Sequence, residues 1–487
     1  MHHPPLDFGP LLPELILVGV GLTLLLVEAI FQRLSHAWLA VGALAGIVAA
    51  GVASAWLWNW QPRPFQHDNA VLGGMVAVDR FAVVSRIVLL GVAAVVIAFG
   101  HHYFERSGEP RGEFYALVLL CTSGMTLIAS ANNLVVVFLA LEILSLSLYV
   151  MTGFSLRLTS IEGAMKYFLL GAFSSAFFLY GIALAYGATN TTSITGMARS
   201  LSDRVGDQPL ALAAAGLLAV GFAFKVAAVP FHTWAPDAYQ GAPTPITAYM
   251  SAATKVAAFA ALLRVFNVAF APIQWDWTPF IWVLAAVTMV VGSILAIAQT
   301  DLKRMLAYSS VAHAGFILTG VTAAGQRGIT ASLFYLVAYA AMIVGAFGVV
   351  MLVSVRGEQR TGIASYAGLA RTNPVLAGML TLFLLSLAGI PPTAGFIAKV
   401  SVFGAAVQAG HWPLVLIAVL ASVVAAFFYL RVIVIMYTQE PAADAVRLEP
   451  AAGPGIGIAV VGLATVVLGV FPGLAFHFLD KASVLRW

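Results

Sequence analysis

The sequence predicts an all-α membrane protein of about fourteen transmembrane helices, and three observations carry that reading. Of its 487 residues 61% are hydrophobic and only 9% are charged, where soluble domains carry about 25% charged residues; the mean hydropathy is +0.97. Apolar runs of about 18 or more residues recur along the whole chain, and about 20 helical residues at 1.5 Å each cross a hydrocarbon core. The runs lack the alternating apolar and polar pattern of a membrane barrel.

Taken in order, the predicted spans lie near 11–31, 37–57, 76–99, 114–130, 132–152, 162–187, 210–230, 243–268, 278–298, 303–323, 330–353, 375–405, 413–437 and 455–475. The start, MHHPPLDFGP, has no basic region followed by a small-residue cleavage pattern, so the first span is expected to stay in the protein. Arg33, Arg106, Arg111, Arg157, Lys303, Arg304, Arg356, Arg360 and Arg371 fall in alternate loops. The positive-inside rule then places both termini outside, with Arg63, Arg80, Arg199 and Arg204 weakening the bias. A pI near 9.1 reflects this topology and makes no case for nucleic acid.

Cys121 is the only cysteine, which excludes an internal disulfide and a four-thiolate iron–sulfur cluster. Neither a dinucleotide-binding G-x-G-x-x-G nor a Walker-type motif is present. His101 and His102 read as an interfacial pair in a polar loop and not as a metal or haem site.

Charge at bilayer depth is costly and marks function by default. Glu142 stands about ten residues from either end of its span, too deep for a short side chain to reach water. Lys225, Lys255 and Lys399 could in principle snorkel to the headgroups. Against that, the chain stays apolar beyond Pro230, Lys255 lies ten residues past Pro245, and Lys399 follows a helix break. Lys166 reads equally as an interfacial anchor or a relay, and His313 and His232 as satisfied buried histidines or proton carriers. Asp237 reads as a capping or loop residue, and Lys303 with Arg304 as positive-inside loop residues.

Pro230, Pro236, Pro243 and Pro245 break the helical ladder in FKVAAVPFHTWAPDAYQGAPTPIT, and Pro391 and Pro392 break it again between Gly389 and Gly395. Non-helical backbone at membrane depth is tolerated only inside protein or along a cavity. Two interrupted segments in corresponding positions point to inverted repeats. Spans 4–8 and 9–13 would then be two five-helix units with broken seventh and twelfth helices. The implied regions are 1–113, a first repeat at 114–268, a second at 278–437, and a C-terminal helix and tail at 455–487. A buried lysine can titrate near neutrality, and making or breaking a Glu142–Lys225 pair would shift it by roughly three pKa units at an effective dielectric of 20. Arginine could not serve, because its pKa stays too high. Glu142, Lys225, Lys255, His313 and Lys399 thus read as a lateral proton relay, with Ser, Thr, Tyr and water filling gaps.

The run AFKVAAVPFHTWAPDAYQGAPTPITAYMSAATKVAAF resembles the signature of the antiporter-like, proton-translocating membrane subunits of NADH:quinone oxidoreductase, respiratory complex I. These are in turn similar to subunits of multisubunit sodium/proton antiporters. The resemblance covers essentially the whole chain. It implies that Glu142, Lys225, Lys255 and Lys399 match the family's fifth-, seventh-, eighth- and twelfth-span residues. A lysine at position 399, and an end at Trp487 without a long lateral helix, single out one of the family's subunit types. The resemblance further implies a non-redox translocase subunit of a bacterial inner membrane, with no cofactor of its own. Flavin (FMN), iron–sulfur clusters and quinone would then be held by partner complex I subunits. A sodium/proton antiporter subunit and a membrane assembly scaffold are the alternatives.

Overall fold

The computed structural model describes residues 8–31, 35–60, 70–71, 74–108, 111–203, 208–354, 360–441 and 452–485. Arg33, Arg63, Arg204 and Arg356, used above for orientation, lie outside the described residues. The helices are α1 (Leu12–Ile30), α2 (His36–Trp56), α3 (Arg80–Ser107), α4 (Glu113–Ser130), α5 (Leu134–Thr152) and α6 (Leu158–Thr189). Then come α7 (Ile194–Ser202), α8 (Pro209–Val226), α9 (Trp234–Gly241), α10 (Thr244–Arg264), α11 (Gln274–Ile297), α12 (Leu302–Thr322) and α13 (Gly325–Val353). The chain closes with α14 (Leu369–Thr372), α15 (Pro374–Ala388), α16 (Ala394–Gln408), α17 (Trp412–Thr438), α18 (Ala452–Val470) and α19 (Pro472–Ala482).

Thirteen of these helices are long and apolar enough to cross a membrane. A fourteenth crossing is made by α15 and α16, each 15 residues and so roughly 22 Å, short of the ~30 Å hydrocarbon core. The number of crossings thus agrees with the sequence reading. Three features had no sequence signal of their own: the short α7, the terminal α19, and a two-residue antiparallel ribbon, β1 (Ala70–Val71) with β2 (Val76–Ala77). His101 and His102 are corrected: α3 continues to Ser107, so they lie in its last turns and not in a loop. The apolar window ends near Gly100, but the helix needs only its backbone ladder to go on into the headgroup region.

Local chemistry sets the helix ends. Asp79, Asn133 and Asp301 cap α3, α5 and α12 by accepting from Ala82, Val135 and Arg304 backbone N–H groups at 2.8–2.9 Å. Proline occupies the first turn of α8, α10, α15, α17 and α19, where its missing N–H leaves no ladder bond unmade. Every residue of α10 is buried. It packs on α3, α4, α8 and α13, while α6 and α17 carry long exposed apolar faces at the margins.

Two buried ion pairs bind the N-terminal helices to this centre. Arg86 on α3 donates to Glu14 Oε1 at 3.0 Å and Oε2 at 3.2 Å, and to Pro10 O and Ser130 Oγ at 3.1 Å. Arg264, at the end of α10, donates to both carboxylate oxygens of Asp79 at 2.7 and 2.9 Å and to Ala129 O at 3.2 Å. Arg264 thereby also takes a carbonyl at the C-terminal end of α4, and Arg86 holds the Ser130 hydroxyl there. Arg86→Met should destabilise the fold by about 3–5 kcal/mol, since it strands a buried carboxylate. The double change Glu14→Leu with Arg86→Met should recover much of that loss, as read from the thermal midpoint of the solubilised protein.

Candidate functional site

The two breaks begin in the same way. Helix α8 stops at Val226 with Ala227 in the left-handed region at φ 59°, and α15 stops at Ala388 with Gly389 at φ 85°. Stopping a helix at membrane depth exposes carbonyls that water would otherwise satisfy. Here protein groups take them. Trp234 Nε1 donates to Phe224 O at 3.0 Å, Lys255 Nζ to Val226 O at 2.9 Å, and Lys399 Nζ to Ala388 O at 2.8 Å. An ammonium at a helix C-terminus also meets the negative end of the helix dipole.

Around these breaks the polar side chains form a row. Glu142, half-buried, accepts from Ser175 Oγ at 2.5 Å. Lys225 is buried and donates to Ser145 Oγ at 2.5 Å, with the rings of Phe224, Tyr149 and Tyr167 5.5–5.8 Å from its Nζ. Ser145 follows Glu142 by three residues on α5, one turn along the same face. Lys255 also reaches α12 by donating to Ser310 O at 2.6 Å, and Ser310 Oγ accepts from Tyr339 at 2.8 Å. His313, three residues on from Ser310, has Nδ1 2.8 Å from the Tyr335 hydroxyl and Nε2 3.2 Å from the Tyr429 hydroxyl. Tyr429 in turn bonds Ser309. Lys399 ends the row, its Nζ 4.9 Å from the centre of the Phe316 ring.

Lys225, Lys255, His313 and Lys399 are all buried, so none of the three lysines snorkels. The Glu142–Lys225 ion pair is not formed: the lysine holds Ser145, the glutamate holds Ser175, and no ion pair within 4.0 Å joins them. Among the described residues no carboxylate ion-pairs with Lys225, Lys255 or Lys399.

Lys166 lies apart from this row. It pairs with Glu162 at 2.6 Å and with Asp237 at 2.8 Å, and Asp237 also holds Arg304 at 2.5 Å. Asp237 is the fourth residue of α9, and its carboxylate takes Lys166 and Arg304 where the sequence suggested a helix cap. His232 lies in the first break, its ring 6.3 Å from that of Tyr308 and its Nδ1 without a hydrogen-bond partner. Lys303 departs from the loop reading: it is fully buried and donates to Ala242 O at 2.6 Å, so it also closes the end of α9. Sequence reasoning named no individual bridging hydroxyl. The available signal was the three-residue spacing of Glu142 with Ser145 and of Ser310 with His313, which puts each pair on one helix face.

Residues 131–425, which include both breaks and every residue of the row except Tyr429, match the family described as NADH:quinone oxidoreductase/Mrp antiporter, transmembrane. The NADH-quinone oxidoreductase subunit N of Rhodococcus opacus is 44% identical over 99% of this chain and 96% of its own length. That of Trichlorobacter lovleyi is 42% identical over 99% and 98%. The chain belongs to the subunit N family of NADH-quinone oxidoreductases. A chain of respiratory complex I from Thermus thermophilus superposes with a TM-score of 0.80 at 34% identity, covering 96% of this chain and 100% of that one. A chain of the Mrp complex from Dietzia sp. reaches a TM-score of 0.82 at 22% identity, covering 97% of each, so it shares the fold. This subunit N family member is a multi-pass membrane protein, and the subunit type to which the resemblance pointed is the one its relatives represent.

Gly389 is a tight point beside the row. At φ 85° a side chain is strained, and an added Cβ would stand 2.8 Å from Lys399 Cδ. Gly389→Ala should cost about 1–2 kcal/mol of backbone strain and push Lys399 off Ala388 O. Proton translocation per assembled protein should fall severalfold, whereas Gly378→Ala, with open space around its Cβ, should leave it unchanged.

Proposed function

We propose that this chain is the proton-translocating, non-redox subunit N of a bacterial inner-membrane NADH:quinone oxidoreductase. Electron transfer takes place in partner complex I subunits, which hold the FMN, the iron–sulfur clusters and the quinone. In this chain Glu142, Lys225, Lys255, His313 and Lys399 form a lateral relay, with His232 and Lys166 near its cytoplasmic entry. The relay runs across two inverted five-helix repeats, α4–α6 with α8–α10 and α11–α13 with α15–α17. The packing is consistent with that division, since the third helix of each unit lies against its broken helix: α6 on α8 and α9, α13 on α15 and α16.

The observation that carries this reading is the position of Lys255. A single buried amine touches the end of the first broken helix through Val226 O and the second unit through Ser310 O. Ser310 Oγ accepts from Tyr339, whose ring lies 5.1 Å from that of His313, and Lys399 lies beyond, beside Phe316. Neutral dipoles hold the lysines in place without fixing their charge. A proton arriving at Lys225 therefore repels the charge on the next amine, and a change in partner at one lysine is felt along the row. Redox energy released in the partner subunits would drive those changes of partner, moving protons from the cytoplasm to the outside.

Lys225→Ala and Glu142→Ala should leave the complex assembled and lower NADH-driven, quinone-dependent proton pumping severalfold in inverted membrane vesicles. Loss of assembly with normal pumping per assembled complex would instead favour a scaffold. Unchanged pumping with lost sodium tolerance would favour an antiporter subunit.

A further inference from the structure

Away from the relay, a groove opens between α2, α3, α13 and α19 at the membrane face where α3 and α13 begin, which is the outer face under the positive-inside reading. Its volume is about 460 Å³, and its walls include Trp58, Val84, Ile87, Val337, Ala475 and Phe478. Asn59 is the only polar side chain among the lining residues. Val337 is twelve residues into α13, which began at Gly325, hence roughly 18 Å below that end of the helix. Val88 is eight residues, roughly 12 Å, below Arg80 at the start of α3. The groove therefore spans the depth of one leaflet of a ~30 Å hydrocarbon core.

The rim has a different chemistry. The Arg80 guanidinium lies 5.3 Å from the centre of the Trp58 ring, and Trp58 packs edge to face on Phe478 at 6.1 Å. Lys481 stands one turn on from Phe478 in α19, its Nζ 2.9 Å from His477 Nε2. Among the described residues neither Arg80 nor Lys481 has an ion-pair partner. The carboxylate of Asp480 is the opposing charge nearby on α19, and it is exposed. Ile87 and Phe478 leave the groove open toward lipid, at 47% and 55% exposure.

We propose that this groove holds an acyl chain of one anionic phospholipid, whose phosphate rests on Arg80 and Lys481. An apolar concavity facing lipid is filled, because bare walls forfeit their dispersion contacts. The mouth lies at headgroup level, where a tryptophan-backed arginine can hold an anion without losing its place on the ring. A transmembrane helix from a partner would find the mouth narrowed by the Trp58–Phe478 contact, while a single hydrocarbon chain enters beneath it.

The test is native mass spectrometry of the complete complex extracted in mild detergent, followed by titration with phosphatidylglycerol or phosphatidylcholine. Ala475→Phe, which fills the groove, should remove one tightly bound anionic phospholipid per complex. Val84→Phe, on another wall, should do the same and covers the case in which the first variant fails to assemble. Arg80→Gln should raise the phosphatidylglycerol needed for half-occupancy about fivefold and leave the weaker phosphatidylcholine binding unchanged. An unaltered lipid count in both groove-filling variants would overturn the site. Equal uptake of the two lipids, with no effect of Arg80→Gln, would overturn the anionic headgroup. A crosslink from Ile87→Cys to a protein segment, in place of lipid, would overturn the lipid as occupant.

Discussion

A helix that stops inside a bilayer leaves carbonyls with no water to bond, and each orphan costs several kcal/mol in hydrocarbon. The site grows from that constraint. Two helices stop in this way, after Val226 and after Ala388, and the ends are closed by Trp234, Lys255 and Lys399. Backbone groups beyond each break are satisfied as well: Val229 N–H donates to Thr288 Oγ1 and Gly395 N–H to Ser386 Oγ. A lysine used as a cap spends its Nζ on the helix end, so the group that closes the break is the one the proposed relay would use. The structural need and the chemical opportunity coincide at one atom.

The buried cations divide by chemistry. Arg86 and Arg264 are each forked onto a carboxylate, Glu14 and Asp79, and also brace the end of α4. Arginine stays charged in any protein environment, and a bidentate partner keeps it in one geometry. The lysines of the row have carbonyls, one serine and aromatic faces for partners, and no carboxylate. A neutral dipole stabilises an ammonium less than an ion pair does. Arg264 and Lys255 share α10 and differ by half a turn in facing direction, so one helix serves both purposes without mixing them.

Much of this was legible in the sequence because the membrane simplifies it. Spans follow from apolar length, and both breaks follow from Pro230 and from Pro391 with Pro392. Glu142, Lys225, Lys255 and Lys399 stood out as charges where charge is expensive. What composition could not supply was partner choice. Lys303 looks like a loop cation by its place beside Asp301 and Arg304, yet it is buried because α9 turns back and offers it Ala242 O. Lys166, near the start of its span, reads from the sequence equally as an anchor or a relay member, and only the structure shows its partners, Asp237 and Glu162. Serine, threonine and tyrosine carry no hydropathic signal of their own, so Ser145, Ser310, Tyr335 and Tyr429 became visible only once the helices were placed.

The separation of Glu142 from Lys225 bears on how the proposed relay would work. Had the two been paired, the lysine would be locked as a cation, because an opposite charge at 4 Å is worth about 4 kcal/mol at an effective dielectric of 20. Instead the lysine bonds Ser145, one helical turn from the glutamate, with Cβ atoms on that face about 5–6 Å apart. In the proposed relay Lys225 would trade Ser145 for Glu142, one turn away on the same face of α5. Such a trade would take the amine from a neutral partner to a charged one, and the reverse trade would release the proton. Under that proposal the serine is a second resting place for the ammonium, and the difference in proton affinity between the two places is what a driving reaction would have to supply.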